Sequence, residues 1–428
     1  MYLSEARRGD TPAPEERTAG RRPLRVVTGN VLAIGMVSLL TDVSSEMVTA
    51  ILPLYLVFGL GMSTVQFGML DGVYTGATAV LRLAGGHVAD RFRRRKAVAG
   101  AGYALSAVTK LGFLLAGRSA PLLGLVIGVD RAGKGLRTAP RDAIISLSAP
   151  PEAQGRAFGV HRALDTAGAL AGPLVAFGVL ELALNSYDAV FFTSFCVAVL
   201  GVLVLVLFVR EPDGVVRGRP RVSLAQATAL LGPGPFRRVL LAVVPLSLTT
   251  ISDAFLYLLV LERLDVAARW LPLLPVAVSA SYLLAAVPAG RLADRLGRSK
   301  VVLGGYGALL GCYLLVLAAD HPVACVAVLV LRGLGYAATD GVVSALVGPL
   351  LPERRRATGL AVVQTGQALA AMTASWIFGA LWSWLGPRAA VGVMAAGLTI
   401  TLVAAFLVLP ADRSRRTTRP RNGGTGEE

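Results

Sequence analysis

The stretch VDRAGKGLRTAPRD, from Val129 to Asp142, decides how the rest of the chain is read. It carries Asp130, Arg131, Lys134, Arg137, Arg141 and Asp142 between two apolar runs. At roughly 100° per residue, Asp130, Lys134, Arg137 and Arg141 fall in a stripe about 60° wide on one helix face. A charge at the centre of a bilayer costs at least about 2.5–3.5 kcal/mol. Such a face therefore has to meet a watery cavity or other charges. The apolar run from Leu122 to Val129 is too short to span alone, so the charges from Asp130 onward belong inside a span. The alternative is a plain anchor at the cytoplasmic end of the helix, and it suits Arg141 and Asp142 best.

Around this stretch the composition is that of a membrane protein. Of 428 residues, 54% are hydrophobic and only 16% charged, against about 25% charged in ordinary soluble domains. Mean hydropathy is +0.64. A span needs about 20 apolar residues, and twelve such helices can be placed, so the expected class is an all-α polytopic membrane protein. They fall at roughly 28–60, 65–89, 97–117, 121–143, 154–183, 187–210, 236–262, 268–293, 300–319, 322–348, 355–385 and 387–410.

The net charge of +16 invites a nucleic-acid reading, but the basic residues do not form a soluble face. They gather in alternate connections: Arg91 to Lys96, the linker with Arg217, Arg219 and Arg221, then Arg295 to Lys300, Arg354 to Arg356, and both tails. The intervening connections hold few, as the positive-inside rule requires. Both termini are therefore expected on the cytoplasmic side of a bacterial inner (plasma) membrane, with lipid as the surrounding partner and no nucleic acid. The expected organisation is a disordered tail at 1–27, a six-helix half at 28–210, a linker at 211–235, a second half at 236–410 and a tail at 411–428. The first apolar run is too long for a cleavable signal segment. Cys196, Cys312 and Cys325 lie in apolar runs without metal-ligand spacing, so they read as packing residues and no metal is expected.

The chain also repeats. GGHVADRFRRRK (Gly85 to Lys96) returns as AGRLADRLGRSK (Ala289 to Lys300), with Asp90 and Asp294 separated by 204 residues. Arg131 and Arg332 are 201 residues apart. A parallel repeat of two six-helix halves, with a solute site at their interface, is a transporter architecture.

Those residues carry a resemblance to the major facilitator superfamily. Its motif between the second and third helices is met by Gly86, Asp90, Arg91, Arg94 and Arg95, with Arg93 where the family has an internal glycine. The second copy keeps that glycine, as Gly290, Asp294, Arg295, Gly297 and Arg298. The fourth-helix motif is met by Arg131 and Gly135. The fifth-helix antiporter motif is met by Gly159, Gly168, Gly172 and Pro173, with Ala176 and Phe177 replacing its closing glycines. The resemblance implies alternating access, a conformational latch at Gly86, Asp90, Arg91, Arg94, Asp294 and Arg295, and a proton-tight gate at Gly168, Gly172 and Pro173.

Side chains within the spans suggest the chemistry. Asp42 and Glu46 lie four apart on one face of the first helix, and Asp165 sits in the fifth. A carboxylate held between dry walls and a cation can take and release protons near neutral pH. Proton coupling is accordingly expected of Asp42, Glu46 and Asp165, with Arg131 reporting between the first and fifth helices. A structural ion pair with the fourth helix is the alternative. Asp71, Tyr74, Thr75 and Arg82 share one face of the second helix and are expected in the cavity wall, with Asp130, Lys134, Arg137 and Asp253. Lys110 has no partner in the sequence and reads as a snorkelling side chain. The second half is poorer in charge and is expected to contribute shape. The expected activity is export of small organic compounds by a monomeric antiporter driven by the proton gradient, with no bound cofactor. The alternative is import or facilitated passage of an anionic or metal-bound metabolite through Lys134, Arg137 and Arg141. With no nucleotide-binding loop, metal cluster or nucleophile–base motif, an enzyme is not expected.

Overall fold

A computed structural model describes residues 29–77, 94–150, 153–212, 230–232, 234–263, 266–319, 321 and 323–409. The described chain is helical, with no strand. The first half contains α1 (Gly29–Pro53, continued by a π-turn over Leu54–Gly59), α2 (described over 64–77), α3 (Arg95–Ala116), α4 (Ala120–Leu147), α5 (Gln154–Leu182) and α6 (Tyr187–Phe208). The second half contains α7 (Pro235–Leu248), α8 (Asp253–Arg263), α9 (Leu274–Leu296, preceded by a 3-10 turn over Ala268–Leu273), α10 (Arg298–Ala318), α11 (Val323–Val347), α12 (Glu353–Leu385) and α13 (Pro387–Val408). Among the described residues, ten stretches are long and apolar enough to cross a membrane. Helix α4 has the length but carries too many charges to pass on apolarity.

The expected helix order and most boundaries are met to within a few residues. The seventh span differs. Its apolar run reads as continuous, but it breaks at Thr249–Ser252 into α7 and α8. Pro245 removes one backbone donor there, and Thr249 and Thr250 turn their hydroxyls back onto the Leu246 carbonyl at 3.1 and 2.9 Å. Freed backbone groups in a membrane need new partners. Tyr313 of α10 supplies them: its hydroxyl accepts from the Ile251 amide at 2.7 Å and donates to the Thr249 carbonyl at 3.2 Å.

The start of α1 and the ends of α4 and α6 meet at one face of the molecule. There the Asn30 amide donates to Ser148 Oγ at 2.6 Å and to the Arg210 carbonyl at 3.1 Å, and its oxygen accepts from the Arg210 amide at 2.8 Å. At the opposite end the two halves touch. Thr64 Oγ1 donates to the Gly379 carbonyl at 3.2 Å, and Trp376 Nε1 to the Met69 carbonyl at 3.3 Å. Phe67 meets Phe255 edge-on at 4.8 Å between ring centres, and Phe177 stacks on Trp270 at 5.6 Å. This aromatic seam joins α2 to α8 and α12, and α5 to the 3-10 turn ahead of α9.

Candidate functional site

The charges of α4 diverge to two sides. Asp130 and Arg137 are buried against α3. Asp130 Oδ1 accepts from Lys110 Nζ at 2.7 Å and from Thr109 Oγ1 at 3.1 Å, while Arg131 Nη2 binds Oδ2. Lys110 is 1% exposed. It does not snorkel; it is the buried counter-ion of Asp130. The Arg137 guanidinium lies 4.7 Å from the centre of the Tyr103 ring. One of its nitrogens, Nη1, is buried without a hydrogen-bond partner among the described residues. Both residues are thus held in the packing of the first half, rather than set out on one cavity face with Lys134 and Arg141. A 60° stripe admits this split because α4 is wedged between neighbours on both flanks.

Lys134 and Arg141 turn towards α1 and α5. Arg141 Nη1 lies 3.8 Å from Asp165 Oδ1, and Arg141 Nη2 lies 3.1 Å from Asp142 Oδ1. Asp165 also receives Arg162 Nη1 at 3.4 Å. The carboxyl of Asp42, from α1, is within hydrogen-bond reach of Asp165, and Lys134 is the first cation in its field. Two of the expected coupling residues are therefore brought together across the α1–α5 contact. The bridge from α4 to α5 is Arg141. Arg131 does not reach α5. It stacks on Tyr74 of α2 at 4.0 Å and faces Glu46.

Glycines make that contact close. A Cβ on Gly172 would lie 2.6 Å from Glu46 Cβ and 2.8 Å from the Val43 carbonyl oxygen, and one on Gly168 would run into the Leu39 backbone. Small residues at these positions let two helices approach to backbone distance. Pro173 lies inside the same helix and is buried. His161, one turn before Asp165, is buried with its Nδ1 unpartnered among the described residues.

Other expected residues fall in different places. Tyr74 shares a 2.7 Å hydroxyl contact with Thr49 of α1. Asp71 binds the Ser375 hydroxyl of α12, so it belongs to the seam between the halves rather than to an open wall. Thr75 is half-buried on the next turn of α2. Asp253, at the start of α8, is tied to Arg332: Nε to Oδ1 is 2.6 Å, and Tyr336 Oη donates to Oδ2 at 2.7 Å. The second half therefore contains a charged cluster of its own, with Arg332 buried and Asp253 and Tyr336 half-buried around it, not shape alone. Asp294 and Arg298 line a slot of about 240 Å³ between α9 and α11, together with Tyr282. Arg295 is exposed, and Arg94 sits exposed at the start of α3. Arg82, Gly86, Asp90 and Arg91 lie outside the described residues. Sequence reasoning missed Ser375 and Tyr103, because nothing in a single apolar helix says which remote helix it will face. Lys110 could have been paired, as one cation alone in an apolar run demands an anion.

Two repeated helix bundles, a polar interior and a seam between them define a membrane transport protein. The sequence profile of the Major Facilitator Superfamily matches residues 34–272 and 266–426. A protein of Methanocaldococcus jannaschii, described as an uncharacterized MFS-type transporter, is 32% identical over 370 residues, covering 84% of this chain and 89% of that protein. The chain belongs to the Major Facilitator Superfamily: it is a multi-pass membrane transporter, not an enzyme. An uncharacterized Mycobacterium tuberculosis protein is 37% identical over 171 residues, 40% of this chain and 41% of its own length. Among solved structures, the nucleoside transporter NupG superposes with a TM-score of 0.74 at 16% identity, over 90% of this chain and 100% of the other. A POT family transporter in complex with 5-aminolevulinic acid gives 0.73 at 15% identity, over 89% and 95%. These likenesses show the fold.

Proposed function

We propose that this transporter is a proton-coupled exporter of small organic compounds, working as a monomer in the inner membrane with both termini cytoplasmic. The supporting observation is the contact of Asp42 with Asp165 between α1 and α5. Two carboxyl groups bond to each other only while one of them carries a proton. Loss of that proton puts two like charges side by side, next to Arg141 and Lys134. The α1–α5 contact then has a reason to rearrange, and that contact holds the gate residues Gly168, Gly172 and Pro173. Glu46 lies one turn along α1 on the same face. The rocking of the two halves about the central site would convert the rearrangement into transport. The export direction rests on the fifth-helix glycine pattern.

The test is proton movement in energised inside-out vesicles, with cationic, neutral and anionic compounds added singly. A compound that collapses the pH gradient in wild-type vesicles, but not in those carrying Asp42→Asn or Asp165→Asn, supports proton exchange. Export that continues after the gradient is abolished overturns it. A second reading, passage of an anionic or metal-bound metabolite, is favoured by Lys134 of α4, which is half-buried and forms no ion pair with a described residue. It requires that Lys134→Glu abolish uptake of the anion.

A further inference from the structure

An open groove of about 680 Å³ runs along the outer face of α1 and α6. It is lined by Leu32, Ala33 and Met36 of α1, by Val204 and Phe208 of α6, and by Arg210 at its mouth, beside Gly29 and Asn30. Leu32, Met36 and Phe208 are exposed. Behind the groove the helices stay joined through Val31, Ile34, Val37 and Leu205. It ends between two ties. In mid-span Ser194 Oγ of α6 donates to the Ser44 carbonyl at 2.8 Å, and a Cβ on Gly201 would lie 3.3 Å from Thr41 Oγ1. At the mouth the Asn30 side chain holds the Arg210 backbone at 2.8 and 3.1 Å. Helix α6 has 22 residues, a length of about 33 Å, which matches the hydrocarbon core of a bilayer. Arg210, two residues past its end, therefore stands at the level of lipid headgroups.

The groove is apolar along its walls and cationic at its mouth. The Arg210 guanidinium has no hydrogen bond or ion pair with a described residue; only its backbone is engaged. Lys96 brings a second cation to the same end of α6, with Nζ donating to the Val206 carbonyl at 2.9 Å. The neighbouring acid, Glu211, is turned to α3, where its carboxylate accepts from the Arg95 and Lys96 amides at 3.0 and 2.7 Å. A free cation at the end of an apolar trough is complementary to a molecule with an anionic head and an apolar tail. The chain ahead of Gly29 carries Arg21, Arg22 and Arg25, and would bring like charge to Arg210. A second copy docked by the same face would add apolar contact but no anion. We propose that the groove binds one anionic phospholipid, with an acyl chain between Leu32, Met36, Val204 and Phe208 and the phosphate on Arg210. The site is separate from the acids of the α1–α5 contact and does not depend on proton coupling.

The test titrates phosphatidylglycerol or phosphatidylcholine, both with palmitoyl and oleoyl chains, onto the delipidated full chain in a non-ionic detergent, and counts bound lipid by native mass spectrometry. The first phosphatidylglycerol is expected to bind about fivefold more tightly than the first phosphatidylcholine, the worth of one basic residue near an anionic headgroup, about 1 kcal/mol. Arg210→Gln should abolish the preference. Arg118→Gln, in the connection at the opposite end of α3, should retain it. Both replace an exposed side chain, so neither threatens the fold. Ala33→Leu fills the trough and should weaken both lipids alike. Glycerophosphoglycerol, the headgroup without chains, should not compete. Equal affinity for the two lipids, a preference that survives Arg210→Gln, binding unmoved by Ala33→Leu, competition by the bare headgroup, or pairing of two copies in place of lipid overturns the assignment.

Discussion

Lys110 Nζ of α3 lies 2.7 Å from Asp130 Oδ1 of α4, and both side chains are almost fully enclosed. On the other carboxylate oxygen sits Arg131. One acid therefore holds two cations in the interior of the first half. Removing that acid strands both, and breaking a buried pair from one side costs about 3–5 kcal/mol. Asp130→Asn is expected to lower the melting temperature of the purified protein sharply. Lys110→Met leaves the Asp130–Arg131 pair intact and should cost less. Equal melting temperatures for the two variants would show that Asp130 does not serve both cations.

Close packing of α1 on α5 gives a second prediction. The Cβ of Gly172→Ala would press on Glu46 and on the Val43 carbonyl. Overpacking of this kind costs about 1–3 kcal/mol, and here it would also displace a charged residue. Gly159, in the same sequence motif, has open space around its would-be Cβ. Gly159→Ala should leave both stability and transport unchanged, whereas Gly172→Ala should reduce both. Thermal unfolding and vesicle transport on the two variants check the contrast.

The aromatic seam tests alternating access. Phe177 and Trp270 stack at the end of the molecule away from the start of α1. If the halves rock, this stack has to part in each cycle. Cysteines at both positions, with Cys196, Cys312 and Cys325 replaced, should be bridged by a short bifunctional thiol reagent. The bridged protein is expected to lose transport and to regain it on reduction. Full transport by the bridged protein would mean that the seam stays closed throughout.

How much of this was legible in the sequence follows from the range of the forces involved. Apolar periodicity is local, so the helices and the two-half repeat could be read directly. The inter-helix motif carried the family. The divided face of α4 could not be read, since spacing along one helix fixes an angle but not the neighbour at that angle. Asp130 and Lys134 share a stripe, yet one is packed under Lys110 and the other faces Asp42. The break at Thr249–Ser252 was hidden because its backbone groups are satisfied by Tyr313, 62 residues away from Ile251. The contact of Asp42 with Asp165 was half legible: both acids stand out in apolar runs, but only the folded chain puts them side by side.

Charge in the second half provides the last prediction. Asp253 and Asp340 are both acids in apolar runs of the second half, whose expected contribution is shape more than charge. Their surroundings differ. Asp253 accepts from Arg332 at 2.6 Å and from Tyr336 at 2.7 Å, and Arg332 is 6% exposed. Asp340 is exposed and, among the described residues, meets only the Tyr282 hydroxyl, at 3.3 Å. Asp253→Asn would leave a guanidinium enclosed without its counter-ion, a loss of about 3 kcal/mol. Asp340→Asn should change stability by no more than about 0.5 kcal/mol, as surface substitutions do. Arg332→Met combined with Asp253→Leu removes both charges together and should recover much of the stability lost in Asp253→Asn, since a buried pair replaced by apolar groups is often neutral. If the double variant transports as well as it folds, the triad serves packing alone. If it folds but does not transport, Arg332 and Asp253 act in the cycle itself, and the second half contributes charge as well as shape.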